Sequence, residues 1–181
     1  MLDIADEQGK ALSFVNLIEA HVLRGLRTKH QLTMQQIKRA MRELTNHEPP
    51  PYPLAFEDFL TDRVDLFIER LGSIINLNRA GQIAMEETLR AHLERVDRGS
   101  TGPVRFFPFV RIEDVEGSRN VSLAPTMAFG RPVVAGTRIT TAEIASRVNA
   151  GEAIEKVAED LNLETQQAKD AILFEQRIQA S

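Results

Sequence analysis

The stretch FGRPVVAGTRITTAEIASRVNAGEAIEKVAEDLNLETQQAKDAI, residues 129–172, decides the fold of the C-terminal third of the chain. It opens with an apolar pair, Val133–Val134, between glycines, a pattern that predicts short strands or tight turns. Apolar residues then recur at helical spacing in three segments, which predicts three short helices with bends at Gly151 and at residues 161–163. The expected core of this trihelical unit is Ile144, Val148, Ile154, Val157, Leu161, Leu163, Ala168 and Ile172. Short helices joined by a tight turn are the geometry of a helix-turn-helix.

The N-terminal part, about residues 11–44, has the pattern of two helices. The inward face of the first repeats at steps of three and four residues and comprises Phe14, Leu17, Ile18, His21, Val22 and Leu26. Ser13 is a suitable N-cap for it, and Thr33 with Gln36 three residues later predicts a capping box for the second helix. The second helix is expected to turn one set of residues inward, namely Met34, Ile37, Met41 and Leu44.

The middle part, about residues 53–109, changes period after the prolines of HEPPPYP, residues 47–53, which predict a stiff extended connector. Val64, Leu66 and Ile68 alternate with polar or flanking residues, which predicts a strand, and a hairpin is expected through residues 69–72. A helix follows from Gln82 to Val96, with inward positions at Ile83, Leu89, Leu93 and Val96, and VRFFPF, residues 104–109, predicts one more strand. The polar piece RIEDVEGSRN, residues 111–120, predicts an exposed linker.

The whole pattern predicts an α+β fold in three regions. Residues 1–48 form a helical pair, residues 49–120 a small antiparallel sheet with a helix, and residues 121–181 the trihelical, helix-turn-helix-like domain. The chain of 181 residues contains no Cys, which excludes disulfides, thiolate nucleophiles and Cys-based zinc sites. The N-terminus is polar and acidic rather than signal-like, and no apolar run approaches membrane-spanning length, so a cytoplasmic protein without a membrane partner is expected.

Charge is distributed unevenly along a chain whose net charge is −4. Between His21 and Arg42 there are six Lys or Arg residues and not one Asp or Glu. Such asymmetry can mark a nucleic-acid face, a solvated surface or a patch for an acidic protein. The candidate DNA-binding residues are Arg24, Arg27, Lys29, Gln35, Lys38, Arg39 and Arg42. The cations would contact phosphates, and Gln35 and Gln36 could reach base edges.

Signals for catalysis are weak, and no metal or cofactor is expected. The glycines around Arg131 and Arg138 match no phosphate-binding loop, and a structural role in backbone turns is favoured for them. The four His residues share no ligand spacing. Three acids could gather a magnesium ion, but solvated turn acids are the favoured interpretation of Asp58, Asp62 and Asp65. Core or interface packing is favoured over base stacking for Phe106, Phe107 and Phe109.

Two separated motifs in the C-terminal third resemble the domain-of-unknown-function family 433, which is associated with antitoxins. The first runs through Gly130, Arg131, Pro132, Val133, Val134, Gly136, Thr137, Arg138 and Ile139. The second comprises Ala150-Gly151-Glu152-Ala153-Ile154 and Ala158-Glu159-Asp160. Further upstream, LSFVNLIEAHVLRGLRTKHQLTMQQIKRAM and PYPLAFEDFLTD look like VapB-type antitoxins encoded beside a PIN-domain ribonuclease toxin, and the first two helices look like part of a MerR-type regulator.

The resemblance implies an antitoxin without enzymatic activity, which binds a PIN-domain toxin and represses its own operon through DNA. It assigns structural roles to the motif residues Gly130, Arg131, Pro132, Gly136, Thr137, Arg138 and Gly151. Longer relatives often begin with a further helix-turn-helix before the LSFVNL helix, and the resemblance leads us to expect that this sequence lacks that segment. A stand-alone MerR-like transcription regulator and a metal-dependent nuclease are the alternatives, and a homodimer stays open.

The last helix is expected to offer acidic and neutral side chains to solvent. Its polar residues are Glu164, Gln166, Gln167, Lys169 and Asp170. Such a face is a poor match to a phosphate backbone, so a structural, dimerising or toxin-binding role is favoured over base reading.

Overall fold

The computed structural model describes residues 13–45, 53–55, 63–110 and 117–180 of the chain. The chain divides into two compact units, Met1–Pro103 and Val104–Ser181. The elements are helices and two small two-stranded sheets, so the α+β class expected from the sequence is confirmed. The three-region division stays a prediction. Most of the proline connector, residues 47–52, and residues 111–116 of the predicted linker lie outside the described residues.

The first unit is built from helices that bury one apolar core. Its elements are α1 (Phe14–His30), α2 (Met34–Thr45), a 3-10 turn (Pro53–Ala55), α3 (Val64–Ile74), α4 (Arg79–Leu93) and strand β1 (Val96–Gly99). Helix α1 packs on α4 and on the 3-10 turn, while α3 packs on both α2 and α4. The largest fully buried side chains of this core include Ile18, Leu26, Phe67, Leu71, Met85, Leu89 and Leu93. Strand β1 and strand β2 (Gly102–Phe106) form a two-stranded sheet.

Both N-terminal helices begin where the sequence predicts. The Ser13 hydroxyl accepts a hydrogen bond from the Asn16 backbone N–H at 3.1 Å, and the Asn16 amide oxygen accepts from the Ser13 N–H at 3.1 Å. At α2 the Gln36 side-chain oxygen accepts from the Thr33 N–H at 2.8 Å, and Thr33 Oγ1 accepts in return from the Gln36 N–H at 3.3 Å. These reciprocal bonds satisfy backbone donors that the first helical turn leaves without partners.

The strand and hairpin predicted for residues 64–72 are wrong, because this segment is helix α3. Val64, Phe67 and Leu71 are buried at a spacing of three and four residues, whereas Leu66 is partly exposed. Over five residues the alternation of Val64, Leu66 and Ile68 fits a strand as well as it fits a helix, so the period could not be read from it. Gly72 lies inside the helix, where an added Cβ would come within 2.8 Å of Gln82 Cγ. The glycine therefore serves a close helix–helix contact rather than a turn.

The helix expected from Gln82 to Val96 is confirmed as α4, with two errors: it ends at Leu93, so that Val96 begins strand β1 instead, and one inward position was misassigned. Met85, Leu89 and Leu93 are buried, but Ile83 is 47% exposed and was wrongly assigned to the core. The buried positions follow one another at steps of four, and Ile83, two residues before Met85, falls on the opposite side of the helix. The helix begins three residues earlier than predicted, because Asn78 caps it by accepting from the Gly81 N–H at 2.9 Å.

The second unit combines short strands with the predicted three helices. Strand β3 (Val121–Ser122) pairs antiparallel with β4 (Val133–Val134), with Val121 opposite Val134. The helices are α5 (Thr141–Asn149), α6 (Ile154–Asp160) and α7 (Thr165–Gln179). All eight predicted core residues belong to one apolar cluster, buried or partly buried, together with Val134, Ala158 and Ala171.

The bends of the trihelical unit lie where the sequence places them. Gly151 follows α5 with φ +101°, a left-handed conformation that glycine adopts without steric cost. Asn162 turns the chain after α6 with φ +53°, and the Leu163 N–H donates to the Ala158 carbonyl at 2.8 Å. Within the described ranges, none of the helices combines the length and apolar character that crossing a bilayer requires.

Candidate nucleic-acid and partner-binding surfaces

The basic residues of α1 and α2 lie on the outside of the first unit. All seven candidate DNA-binding side chains are exposed, namely Arg24, Arg27, Lys29, Gln35, Lys38, Arg39 and Arg42. The opposite side of the same helices carries the core residues Val22, Leu26 and Ile37. The amphipathic pattern therefore presents the cations to solvent while it buries the apolar side. We call these seven residues the basic face.

A groove opens at the junction of α1 and α2. It has a volume of about 900 Å³, and two residues of the basic face, Arg24 and Arg27, contribute to its lining. The remaining lining is apolar or carries a hydroxyl or amide group, and comprises Ala20, Leu23, Thr28, Gln31, Leu32, Thr33 and Met34. The left-handed Gln31, with φ 53°, turns the chain between the two helices at this place. The groove therefore offers an anionic group both charge and hydrogen-bond donors.

One acidic neighbour lies just beyond the acid-free stretch. Arg39 Nε donates to Glu43 Oε1 at 2.9 Å, and both side chains are largely exposed. A surface pair of this kind contributes little to stability and can be exchanged for another anion. Sequence reasoning missed it because the count of charges stopped at Arg42, one residue short of Glu43.

A pair of histidines packs beneath α1. The rings of His21 and His92 have centroids 4.8 Å apart, and Gly25 leaves room for His92, whose ring would clash with a Cβ added at that glycine. His92 Nδ1 donates to the Thr88 carbonyl at 2.8 Å. Burial lowers the pKa of His21 to about 3 and also lowers the pKa of His92. Both rings are therefore neutral at pH 7 and act as packing groups, a contact that their spacing in the sequence did not indicate.

A carboxyl group is also buried in the first unit. Glu19 on α1 is 7% exposed, and its Oε2 has no hydrogen-bond partner among the residues that the structure describes. Burial raises the pKa of Glu19 from 4.5 to about 7, and a hydrogen bond from the Leu54 backbone opposes this shift. Sequence reasoning did not single out Glu19, because a Glu in an amphipathic helix is ordinarily a surface residue.

The glycine motif of the second unit forms turns around β4. Gly130 and Gly136 have φ +77° and +81°, conformations that side chains rarely adopt. Thr137 Oγ1 donates to the Val134 carbonyl at 2.9 Å and accepts from the Ile139 N–H at 3.1 Å, which closes the turn after the strand. Arg131 and Arg138 are exposed, and Pro132 is half-buried. Backbone conformation and hydrogen bonds to the backbone therefore suffice to explain why glycines and Thr137 occupy these positions.

Asp170 is buried, contrary to the exposed position predicted for it on the last helix. Its side chain is 4% exposed and accepts hydrogen bonds from Ser118 Oγ, from Asn120 Nδ2 at 2.8 Å and from Gln166 Nε2 at 2.8 Å. Glu164, by contrast, is exposed, as predicted. Asp170 therefore ties the segment before β3 to α7 and is unavailable to a partner.

The other candidate side chains also have structural surroundings. Phe106 and Phe107 are buried, as favoured from the sequence, and Phe109 is half-buried. Asp65 lies on α3 rather than in a turn and pairs with Arg90 at 2.5 Å, while Asp58 and Asp62 lie outside the described residues. Among the residues that the structure describes, no three His, Asp or Glu side chains gather closely enough to hold a metal ion.

Comparison with known proteins shows which family and which proteins the chain is similar to. Residues 121–174 match the family described as protein of unknown function DUF433. A protein of Mycobacterium tuberculosis (strain ATCC 25618 / H37Rv) named "Putative antitoxin VapB45" is 27% identical over 173 residues, which cover 89% of this chain and 70% of that protein. The X-ray crystal structure of Rv2018 from Mycobacterium tuberculosis shares the fold, with a TM-score of 0.66 and 22% identity over 89% of this chain and 78% of the other.

These findings confirm the family resemblance expected from the two motifs. The matched range begins at β3 and ends within α7, so it covers the glycine turns and all three helices of the trihelical core. Residues 121–174 therefore resemble the DUF433 family, and the chain is similar over most of its length to a protein named as a putative VapB antitoxin.

Proposed function

We propose that the protein is the antitoxin of a type II toxin–antitoxin system, acting in the cytoplasm without enzymatic activity. In this proposal it neutralises a PIN-domain ribonuclease toxin by direct binding, and it represses its own operon through DNA contacts. The observation that carries the proposal is the similarity to a protein named as an antitoxin, which extends over 89% of the chain and thus over both units.

The basic face supports the DNA part of the proposal. Its seven side chains are exposed, and none of them belongs to the apolar core, so they lie where phosphates and base edges can reach them. Six of the seven are cations, and each phosphate contact releases counterions from DNA. If all six contact phosphate, the logarithm of the affinity falls with the logarithm of the salt concentration with a slope of about −5.

The test of the toxin part is co-expression with the protein encoded by the adjacent gene, followed by pull-down and size-exclusion chromatography. We expect one stable complex in which the neighbour's ribonuclease activity is silenced. Two separate peaks, with the neighbour's toxicity unrelieved, would refute the antitoxin function.

The test of the DNA part uses a duplex taken from the region upstream of the gene, with binding measured at several salt concentrations. Replacing Lys38 and Arg42 together by Gln is expected to weaken binding and to make the salt slope shallower by about 2. Arg79→Gln is the matched control, because Arg79 is also exposed but belongs to α4, outside the basic face. An equal effect of the control would show a general charge effect instead of a DNA site.

A stand-alone MerR-like regulator is the second candidate, and the exposed basic face of the α1–α2 pair is the observation that favours it. This candidate predicts strong operator binding by the isolated protein and no complex with the neighbouring protein. The two experiments above therefore distinguish the candidates.

A further inference from the structure

Phe129 is the most exposed large apolar side chain among the described residues. Its side chain is 100% exposed, whereas the other exposed large apolar residues, Leu66, Ile83, Val104 and Ile178, range from 38% to 51%. Singly exposed apolar residues are normal on protein surfaces, but they commonly rest part of their surface on neighbours. The Phe129 ring projects fully into solvent, which demands a further explanation.

The backbone holds Phe129 in this position with three successive left-handed residues. Ala128, Phe129 and Gly130 have φ 46°, 57° and 77°. Only the glycine adopts such a conformation readily, so the turn stores strain at two side-chain-bearing positions. The Gly130 N–H donates to the Met127 carbonyl at 2.9 Å, and the Arg131 N–H donates to the Ala128 carbonyl at 3.2 Å. These two backbone hydrogen bonds close the turn that carries the exposed ring.

The turn is also fixed to a regular element of the second unit. Directly after it, the Pro132 carbonyl accepts from the Thr141 N–H at 3.1 Å, at the first residue of α5. Val133 then enters β4 and is 1% exposed. A backbone turn that is fixed in advance loses little conformational freedom when it binds, and this raises the contribution to affinity of the side chain that it presents. Aromatic residues, Phe among them, are enriched in protein–protein interfaces.

The chemistry around the turn favours a protein partner over a nucleic acid. Residues 117–180 contain seven Lys or Arg and eight Asp or Glu, so this region has no excess of positive charge to follow a phosphate backbone. A phenyl ring offers no hydrogen bond, so its binding pocket must be apolar. Arg131, two residues further on, is exposed beside the turn and suits a carboxylate at the edge of such a pocket.

We propose that Phe129 is a preformed aromatic anchor that inserts into an apolar pocket, bordered by an acidic residue, on the partner toxin. This inference rests on the proposed antitoxin function and adds to it the surface and the residue that meet the toxin. The strained turn keeps the ring exposed in the free protein, and burial in the complex removes the ring from water.

The test compares variants for binding to the neighbouring gene's protein by calorimetry, and for thermal stability. Phe129→Asn is the principal variant, because Asn tolerates the left-handed conformation and the ring that it replaces is fully exposed. We expect the affinity to fall at least about 30-fold, as for an interface anchor, while the melting temperature stays equal or rises. Phe129→Trp is expected to retain binding, and Arg131→Glu to weaken it at least about fivefold.

Ile178→Ala is the matched control, because Ile178 is an exposed apolar residue of the same unit and its loss should change the affinity less than threefold. If the wild type binds the neighbouring gene's protein and Phe129→Asn binds it equally tightly, the anchor role of Phe129 is refuted and the antitoxin function stands. A wild-type protein that forms no complex would refute both. A concentration-dependent dimer of the free protein, lost on Phe129→Asn, would assign the anchor to a second copy of the chain instead and overturn the toxin assignment.

Discussion

The buried carboxyl group of Glu19 predicts a stability that depends on pH in an unusual direction. Burial raises the pKa of Glu19 from 4.5 to about 7, so the folded protein holds this proton over a pH range in which the unfolded chain releases it. A group whose pKa is raised on folding stabilises the native state fully below its unfolded pKa and loses this contribution as the pH rises through its folded pKa. The first unit is therefore expected to weaken between pH 4.5 and pH 8 on account of this residue.

The size of the effect follows from the shift. A difference of about 2.5 pKa units between the two states corresponds to about 3 kcal/mol of unfolding free energy. Glu19→Gln keeps the shape of the side chain but carries no titratable proton. Relative to the wild type, the variant should gain about 3 kcal/mol from pH 4.5 to pH 8.

The assay is urea unfolding followed by circular dichroism at both pH values, with the variant-minus-wild-type difference taken at each. This difference cancels every other titrating group. Glu87→Gln serves as the control for the loss of a carboxylate, because Glu87 is an exposed glutamate on α4 of the same unit. A Glu19→Gln difference that is the same at both pH values would refute the reasoning, since it would mean that Glu19 ionises as easily in the folded protein as in the unfolded chain.

Three further changes have expected outcomes. Asp170→Ala removes the buried acceptor that joins α7 to the segment before β3 and should cost about 1–3 kcal/mol, seen as faster hydrogen exchange in α7. Gly25→Ala places a methyl group against the fixed ring of His92 and should cost about 1–3 kcal/mol in urea unfolding, with the loss reduced in a His92→Ala background. Arg147→Ala should lower the melting temperature near neutral pH but not at low pH. The reason is that the hydrogen bond from Arg147 lowers the pKa of Glu152. The contribution of this ion pair to stability therefore disappears as the pH falls below 4.5.

Each of these changes has its own check. Lys169→Ala, next to Asp170 but exposed, should leave exchange in α7 unchanged. A Gly25→Ala protein as stable as the wild type would show that His92 can move aside. For Arg147, an effect that persists unchanged in 1 M salt would contradict an ion-pair origin, because exposed pairs are screened at that ionic strength.

The C-terminal unit was predictable because local signals agree there with the tertiary structure. The three helices, their bends and all eight core residues follow from a clear helical period bounded by Gly151 and by the bend at Asn162. Position-specific glycines and periodic apolar residues each point to the same fold, and such agreement is what makes a sequence readable. The exposed basic face was predictable for the same reason, because the cations of α2 alternate with buried residues at helical spacing.

The failures share a different physical cause, which is dependence on partners distant in sequence. Asp170 has the pattern of a surface residue of α7 until Ser118 and Asn120, about fifty residues earlier, supply its donors. His21 and His92 meet across two helices although they are 71 residues apart. Phe129 resembles an ordinary apolar residue in the sequence, because its exposure arises from a backbone turn that only the folded structure reveals. Period alone misassigned α3, since five residues are too few to distinguish a helix from a strand.

In the first unit, the ionisable residues expected to affect stability face inward, whereas the cations proposed to bind DNA are exposed. Its inward-facing ionisable groups include the His21 and His92 rings, which are neutral at pH 7, and Glu19, whose pKa lies near 7. The cations of α1 and α2 are outside and make no contribution to the core. Neutralising them should therefore change DNA affinity at constant stability, whereas changes at Glu19 should alter stability first. A loss of DNA binding that accompanies an unchanged melting temperature thus reports on the surface itself, and this makes the basic face separately testable from the fold.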